Sequence, residues 1–294
     1  MAGIPTNRTN INLPAEVSAE ILQKMQNQSA IMRLARQVAL PGRGLAIPVI
    51  TGDPTAAWVA ETGAKPVSNP TLETKLMQAY KLAVIVPFSD EFRRDAAALY
   101  DAIVERLPGA LAYQFDQTVI GATQAPGENF DTFASATTQS ILTTVNASAY
   151  DGLVAAYTDI AENGGALNGF GLSPAGQGLL LGATDKDGRP LFVNSVADGA
   201  VPVVLGSRVE AGRGLYKAAA NTNPAIVGVA GDWTQAMYGT VEGVQIRFAD
   251  QASLTIGGQS VNLWEHNMFA VRAEIEVGFR ADVDCFNLLT GATA

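Results

Sequence analysis

Hydrophobic spacing divides the chain into helical and extended stretches. Val17, Ile21, Leu22 and Met25 recur at helical intervals after Leu13 and Pro14, with Glu16 and Glu20 near the positive N-terminal end. This predicts a helix after a loose arm over residues 1–14. Apolar runs ending at Leu40 and beginning at Leu45 flank Pro41, Gly42, Arg43 and Gly44. That turn composition predicts a hairpin, and Pro48 puts its second strand at an edge. Residues 71–86 contain neither Gly nor Pro. Leu72, Thr74, Leu76, Gln78, Tyr80, Leu82, Val84 and Val86 alternate with Glu73, Lys75, Met77, Ala79, Lys81, Ala83 and Ile85. A single strand of that length would reach roughly 50 Å at about 3.3 Å per residue, several times the usual strand, so part of it is expected to project onto something else. Residues 58–61 read as the outgoing strand, and 62–70, with Gly63, Pro66, Ser68, Asn69 and Pro70, as the tip.

Ser89 is placed to cap a long helix whose first turn carries Asp90 and Glu91. Phe92, Ala96, Leu99, Ile103, Leu107, Leu111, Phe115 and Val119 continue its apolar stripe past Pro108. Over 89–120 such a helix would run about 48 Å, bent where Pro108 removes a backbone bond. Residues 132–239, richer in small residues, predict a second lobe. Ser148 with Asp151 opens a helix ended by Gly164 and Gly165, and Ser173 with Pro174 opens another through Leu181. A turn at 186–189 leads into a strand at 191–193, and 201–205 and 226–229 read as buried strands. Strands are expected again at 244–248, 268–277 and 283–288. The mixture predicts an α+β fold.

Composition sharpens this picture. Only 16% of the 294 residues are charged against 48% hydrophobic, which excludes a disordered chain and suggests that partners bury much of the outer surface. A formal charge of -9 and no basic run longer than Arg93 and Arg94 argue against a dedicated nucleic-acid reader. Apolar runs such as 82–88 are too short to span a membrane, and residues 1–10 hold no signal-like stretch. A cytoplasmic protein is expected, with the glycosylation sequons at Asn7, Asn27 and Asn146 as chance matches.

Catalytic and metal templates fail on inventory. One His and one Cys exclude a Cys/His zinc site within one chain, and a Ser-His-Asp triad would have to use His266, which follows Trp264 and Glu265 on a polar turn. Cys285 alternates with Val283 in an apolar strand, predicting a buried, inert thiol that forms no internal disulfide. No Lys follows a Gly, so the phosphate-cradling loop is absent, and Asp185 and Asp187 read as a tight turn, not a calcium loop. No cofactor and no metal are expected.

The order of helix, hairpin, projection, long helix, lobe and returning strands meets specific residues: Trp58, Val59 and Glu61; Lys65, Pro66 and Ser68; Leu82, Val86, Ser89, Asp90, Glu91 and Asp95. Farther on come Leu172, Ser173 and Pro174; Lys186, Asp187, Gly188 and Arg189; residues 201–203; Gly231 and Asp232; and residues 267–274. In these, from about Leu13 to the C-terminus, the chain resembles the tailed-bacteriophage major capsid proteins of the Hong Kong 97 type. The resemblance implies an N-terminal arm (1–14), an N-terminal helix and hairpin of the peripheral domain (15–51), an extended loop (52–87), a spine helix (88–131), an axial domain (132–239) and peripheral-domain strands (240–294). It implies a structural protein that self-assembles into pentamers and hexamers of an icosahedral phage head around double-stranded DNA, bound without sequence specificity. Encapsulin-type nanocompartment shells share the fold and form the alternative.

Implied partners are further copies of the chain, a separate scaffolding protein, a portal and a decoration protein. The implied location is the virion, after assembly in the host cytoplasm. Trp58, Glu61, Leu72, Leu76 and Tyr80 are the implied intersubunit contacts. Crosslinking members join a loop-tip Lys to an Asn of another subunit with a Glu assisting, and Lys65, Asn267 and Glu274 occupy those positions. The attacking amine must be neutral, whereas a free Lys has a pKa near 10.4, so burial on assembly and a carboxylate base are both required.

Overall fold

The computed structural model describes residues 15–42, 44–50, 58–59, 65, 67, 72–91, 96–143, 148–184, 189, 191–192, 203–221 and 223–292. The first helix, α1 (Ala15–Gln28), forms as its spacing predicts, and Ser29 then caps a short α2 (Ala30–Leu34) by accepting from the Met32 amide. The expected hairpin around Pro41 does not form. β1 (Arg36–Ala39) pairs in parallel with β10 (Ala236–Thr240), whereas β2 (Leu45–Ile50) pairs antiparallel with β3 (Leu72–Met77). A turn-rich segment favours reversal, but each flanking strand finds a better ladder with a distant partner. The strand outgoing to the loop is therefore β2. Trp58 and Val59 have no regular structure, and the rest of 51–71, apart from Lys65 and Val67, lies outside the described residues.

The predicted long strand is two strands. β3 ends at Met77 and β4 (Tyr80–Ser89) follows after Gln78 and Ala79. The break inverts the exposed face: Met77 is fully buried and Leu76 exposed, while Leu82, Val84, Val86 and Phe88 of β4 pack on the core. Ser89 closes β4 and its hydroxyl accepts from the Glu91 amide at 3.4 Å, while residues 92–95, where the expected cap would meet the long helix, lie outside the described residues. The long helix is described as α3 (Ala96–Val119), about 36 Å at 1.5 Å per residue, with Pro108 inside it. It stops at Gly121, whose φ of +75° is open to glycine and whose absent side chain would meet Ala134.

In the first sheet, β14 (Met268–Ala281) is the central strand. It carries β4 along one edge and, along the other, β10 followed by β11 (Gln245–Ala249). Val271, Ala273, Ile275, Val277 and Phe279 turn inward while Arg272, Glu274 and Glu276 turn out, the alternation of a sheet with one wet face. A hairpin of β12 (Ser253–Ile256) and β13 (Gln259–Asn262) stands between β11 and β14 in sequence.

The second sheet runs β5 (Thr137–Ser140), β15 (Phe286–Thr290), β9 (Ile226–Gly231), β6 (Gly169–Leu172), β8 (Ser207–Ala211) and β7 (Val203–Val204). α4 (Ala149–Glu162) begins with the predicted Ser148–Asp151 capping box, and α5 (Pro174–Leu181) starts on Ser173. β9 and β15 divide their side chains between two cores. Val229, Phe286 and Leu288 join the one shared with α3 and β14; Val227, Ala230 and Leu289 join the one under α4 and α5. Burial on both faces explains why these strands read as unbroken apolar runs.

Other expectations shift here. Leu191 and Phe192 form a bend, not a strand, and the 185–188 turn lies outside the described residues. Of 201–205 only Val203 and Val204 are a strand, and Val203 is exposed. Cys285 sits on a 3-10 turn, Val283–Cys285, ahead of β15. The sheets also cut across the domain boundaries implied by the resemblance, since β10 belongs with β14 while β15 belongs with the lobe strands.

Candidate functional site

The junction of β3 and β4 is the root of the projecting ribbon, and the body grips it in two ways. Gly239 and Gly278 face each other across β10 and β14, and a Cβ on either would crowd Met77, at 3.2 Å from its sulfur and 3.1 Å from its Cγ respectively. The paired glycines leave a hollow, Met77 fills it, and the strand must break to let it in. Arg280 supplies the second grip. Its Nε and Nη2 donate to the Leu76 carbonyl at 2.9 and 2.6 Å, Nη2 also to Asn129 Oδ1 at 2.9 Å, and Nη1 to Asp131 Oδ1 at 2.6 Å. Asp131 Oδ2 accepts from the Ala281 amide, so the carboxylate bridges side chain and backbone of β14. Sequence reading missed this cluster, because Arg280 falls in phase with Arg272, Glu274 and Glu276 and reads as one more outward charge of the same strand.

The residues expected at intersubunit contacts divide. Trp58 is fully exposed, and Leu76 is exposed beside its clamped carbonyl. Leu72 pairs with Ile50 on the ribbon, and Glu61 lies outside the described residues. Tyr80 is engaged within its own chain: its ring meets Phe130 edge-on at 6.2 Å and its hydroxyl accepts from the Asn129 amide.

The crosslink candidates are not gathered within one chain's hydrogen-bond network. Lys65 is exposed. Asn267 precedes the strand: it takes a φ of +51° just before β14, and its carbonyl accepts from the Asp90 amide at 2.8 Å. Glu274 lies on the wet face of β14, 3.2 Å from Arg272 Nε and 3.9 Å from Lys81 Nζ.

Charged groups elsewhere tie elements together. Asp116, fully enclosed on α3, accepts from the Ser29 hydroxyl at 2.5 Å and the Ala30 amide at 3.2 Å, joining the spine to the start of α2. Burial pushes its carboxyl up to about 7, against the opposing pull of those bonds and of Arg33. Asp232 is also subject to burial, yet bonds from Thr234, Ala166 and Asn168 hold it below the usual carboxylate range. Burial, with Asp282, Asp232 and Asp284 nearby, pushes the Cys285 thiol up to about 11. His266 is exposed and its Nδ1 lies 3.0 Å from the Asn262 carbonyl. Among the described residues no three His, Cys, Asp or Glu side chains converge as a metal site, and no helix is long and apolar enough to cross a membrane.

The described architecture is thus a two-stranded ribbon clamped at its root to a sheet, with a long helix packed on β4 and a second sheet sharing the same core. Residues 10–283 match the model of the phage capsid family, and the chain belongs to that family. It is 28% identical over 298 residues to the probable major capsid protein gp17 of Mycobacterium phage L5, covering 96% of this chain and 90% of the relative. The corresponding protein of Mycobacterium phage D29 is 27% identical, with 96% and 91% covered. Among solved structures, a chain of Gordonia phage Cozz superposes with a TM-score of 0.72 at 25% identity over 91% of this chain and 87% of that one. A Mycobacterium phage Adephagia chain gives 0.70 at 21%, covering 90% and 91%. The fold is the Hong Kong 97 type, and the chain is a structural, major capsid protein. The nanocompartment alternative is not favoured, since family and relatives alike are phage capsid proteins.

Proposed function

We propose that copies of this chain close into pentamers and hexamers of an icosahedral head around double-stranded DNA, assembled in the host cytoplasm with a separate scaffolding protein, a portal and a decoration protein. The carrying observation is the β2–β3 ribbon. Among the described residues its strands pair only with each other, and a two-stranded ribbon is marginal in water without something to lie on. A neighbouring subunit supplies that surface. In this reading the first sheet with α3 is the peripheral domain, the second sheet with α4 and α5 the axial domain, and β2–β3 the extended loop. The acidic balance lets packaged DNA move along the wall without adhering. The test is expression with and without the scaffolding protein, followed by light scattering and negative-stain microscopy. Shells support the proposal; a stable 30.7 kDa monomer under every condition overturns it. Limited proteolysis should cut near Ala64 in free subunits and not in shells.

The same reading includes a single-turnover crosslink. A neighbour's ribbon would bring the Lys65 amine to Asn267, where its attack on the carboxamide carbon forms an isopeptide bond; Glu274 takes a proton from the attacking amine and returns it to the Asn267 nitrogen, which leaves as ammonia when its bond to carbon breaks. What supports it is the wet-face position of Glu274 and the exposure of Lys65. Denaturing electrophoresis of mature particles decides: a ladder lost in Lys65→Ala supports the bond, and one band near 31 kDa removes it.

A further inference from the structure

A cleft of about 500 Å³ joins the two sheets. Leu34 at the end of α2, Arg36 at the start of β1, Asn168 just ahead of β6, Arg208 on β8, and Trp233 and Thr234 of the 3-10 turn Trp233–Gln235 line it. Arg208 Nη2 donates to the Arg33 and Leu34 carbonyls at 3.2 Å each, which seats the guanidinium against the end of α2 and leaves the N–H groups of Nε and Nη1 without an acceptor among the described residues. Arg36, exposed, has no side-chain hydrogen bond or ion pair among them. The carboxylates close by are already engaged. Glu210, two residues along β8 from Arg208, lies 2.7 Å from Arg33 Nη1. Asp232 accepts from the Ala166 amide, the Asn168 carboxamide, and the amide and hydroxyl of Thr234, so its charge is met without either arginine. Asn168 gives one Nδ2 hydrogen to Asp232 and keeps the other.

Two uncompensated guanidinium groups and a spare amide donor suit an oxygen anion, and Arg takes carboxylate and phosphate alike. The surroundings choose between them. A DNA duplex carries a charge every 1.7 Å or so, about one per half base pair, so a phosphate seated here would bring its neighbours within a Debye length, about 8–10 Å, of Asp232 and Glu210. A single side-chain carboxylate brings no such charges. Leu34 and Trp233, 5% and 3% exposed, give the recess an apolar base, which matches an apolar residue beside the acid and nothing on a sugar-phosphate backbone. The formal charge of -9 on the chain points the same way.

We propose that this cleft binds an acidic segment of a second protein, with an Asp or Glu side chain between Arg36 and Arg208 and an adjacent apolar residue over Leu34 and Trp233. One folded subunit holds the whole site, so it does not depend on shells. The test is fluorescence anisotropy of a labelled Leu-Glu-Leu-Glu-Leu-Glu peptide with the unassembled full chain at low salt. Saturable binding is expected, weakened about tenfold or more by Arg36→Gln, a change that breaks no side-chain bond within the described residues. Arg208→Gln should weaken it as well. Arg247→Gln, which removes a cation on β11 outside the cleft, should bind like the parent, and a peptide with Gln in place of Glu should not bind. Absence of saturable binding, or an equal loss in Arg247→Gln, overturns the proposal. A labelled DNA duplex that binds more tightly than the peptide, and is lost in Arg36→Gln, overturns it in favour of a phosphate site. Each of these failures leaves the capsid reading standing, because that reading is decided by assembly.

Discussion

Replacing Arg280 by Met tests the grip on the ribbon root. The side chains of Arg280 and Asp131 are 12% and 21% exposed, so this is a half-buried pair, more enclosed than a surface one. Arg280→Met keeps the aliphatic stem but leaves the Asp131 carboxylate with its Ala281 amide bond alone and strips the Leu76 carbonyl of two donors. Breaking a fully buried pair from one side costs about 3–5 kcal/mol and a surface pair about 0–1 kcal/mol, so a half-buried one should cost about 2–3 kcal/mol. At about 2 °C per kcal/mol, the low end expected for a chain of this size, the unfolding midpoint should fall by roughly 4–6 °C. Local loss should exceed global loss, because Leu76 and Asn129 are held by the same guanidinium. Differential scanning fluorimetry of unassembled subunits reads the first effect, and the rate of proteolytic cutting in the ribbon reads the second. Adding Asp131→Asn to Arg280→Met should recover part of the midpoint, since the stranded charge is removed. A midpoint shift under 2 °C with unchanged cutting would refute the reasoning, and so would a double variant whose loss is the sum of the two singles.

Asp116→Asn addresses the enclosed carboxyl. With its pKa lifted from 3.8 to about 7, the native chain keeps a proton that the unfolded chain has already released, so stability falls as pH rises through that window. The Asn variant should escape this loss and gain on the parent between pH 4 and pH 7, by at most roughly 4 kcal/mol at 1.36 kcal/mol per pH unit; parallel urea-midpoint profiles from pH 4 to pH 8 would reject it. Gly278→Ala places a methyl 2.6 Å from the Gln78 carbonyl and crowds Met77, so a loss of about 1–3 kcal/mol and exposure of Met77 to peroxide are expected, read by denaturation and mass spectrometry. Iodoacetamide at pH 8 should leave Cys285 unmodified in the native chain and label it in urea; equal labelling would show that the thiol is neither buried nor held protonated.

Local signals were enough wherever neighbouring residues decide the outcome. Ser148 with Asp151 and Ser173 with Pro174 mark the starts of α4 and α5 because a cap satisfies amides within a few residues of itself. The spacing of Leu107, Leu111, Phe115 and Val119 gives the buried side of α3, and the alternation along β14 its core face. Together with the order of elements, these carried the α+β class and the resemblance to phage capsid proteins.

What required the tertiary structure is every choice between partners far apart in the chain. Pro41 to Gly44 looks like a hairpin turn, yet the ladders of β1 with β10 and β2 with β3 together bring more backbone into register than a four-residue reversal could. Alternation through 71–86 cannot reveal the break at Gln78, because its cause is a hollow made by Gly239 and Gly278 on two other strands. Arg280 reads in sequence as one more outward charge of β14, in phase with Arg272, Glu274 and Glu276, and Asp131 and Leu76 become its partners only when β14 passes the ribbon root. A periodic pattern records which face of an element is apolar. Which surface covers that face is a property of packing, and among the described residues Tyr157 and Val203 stay exposed.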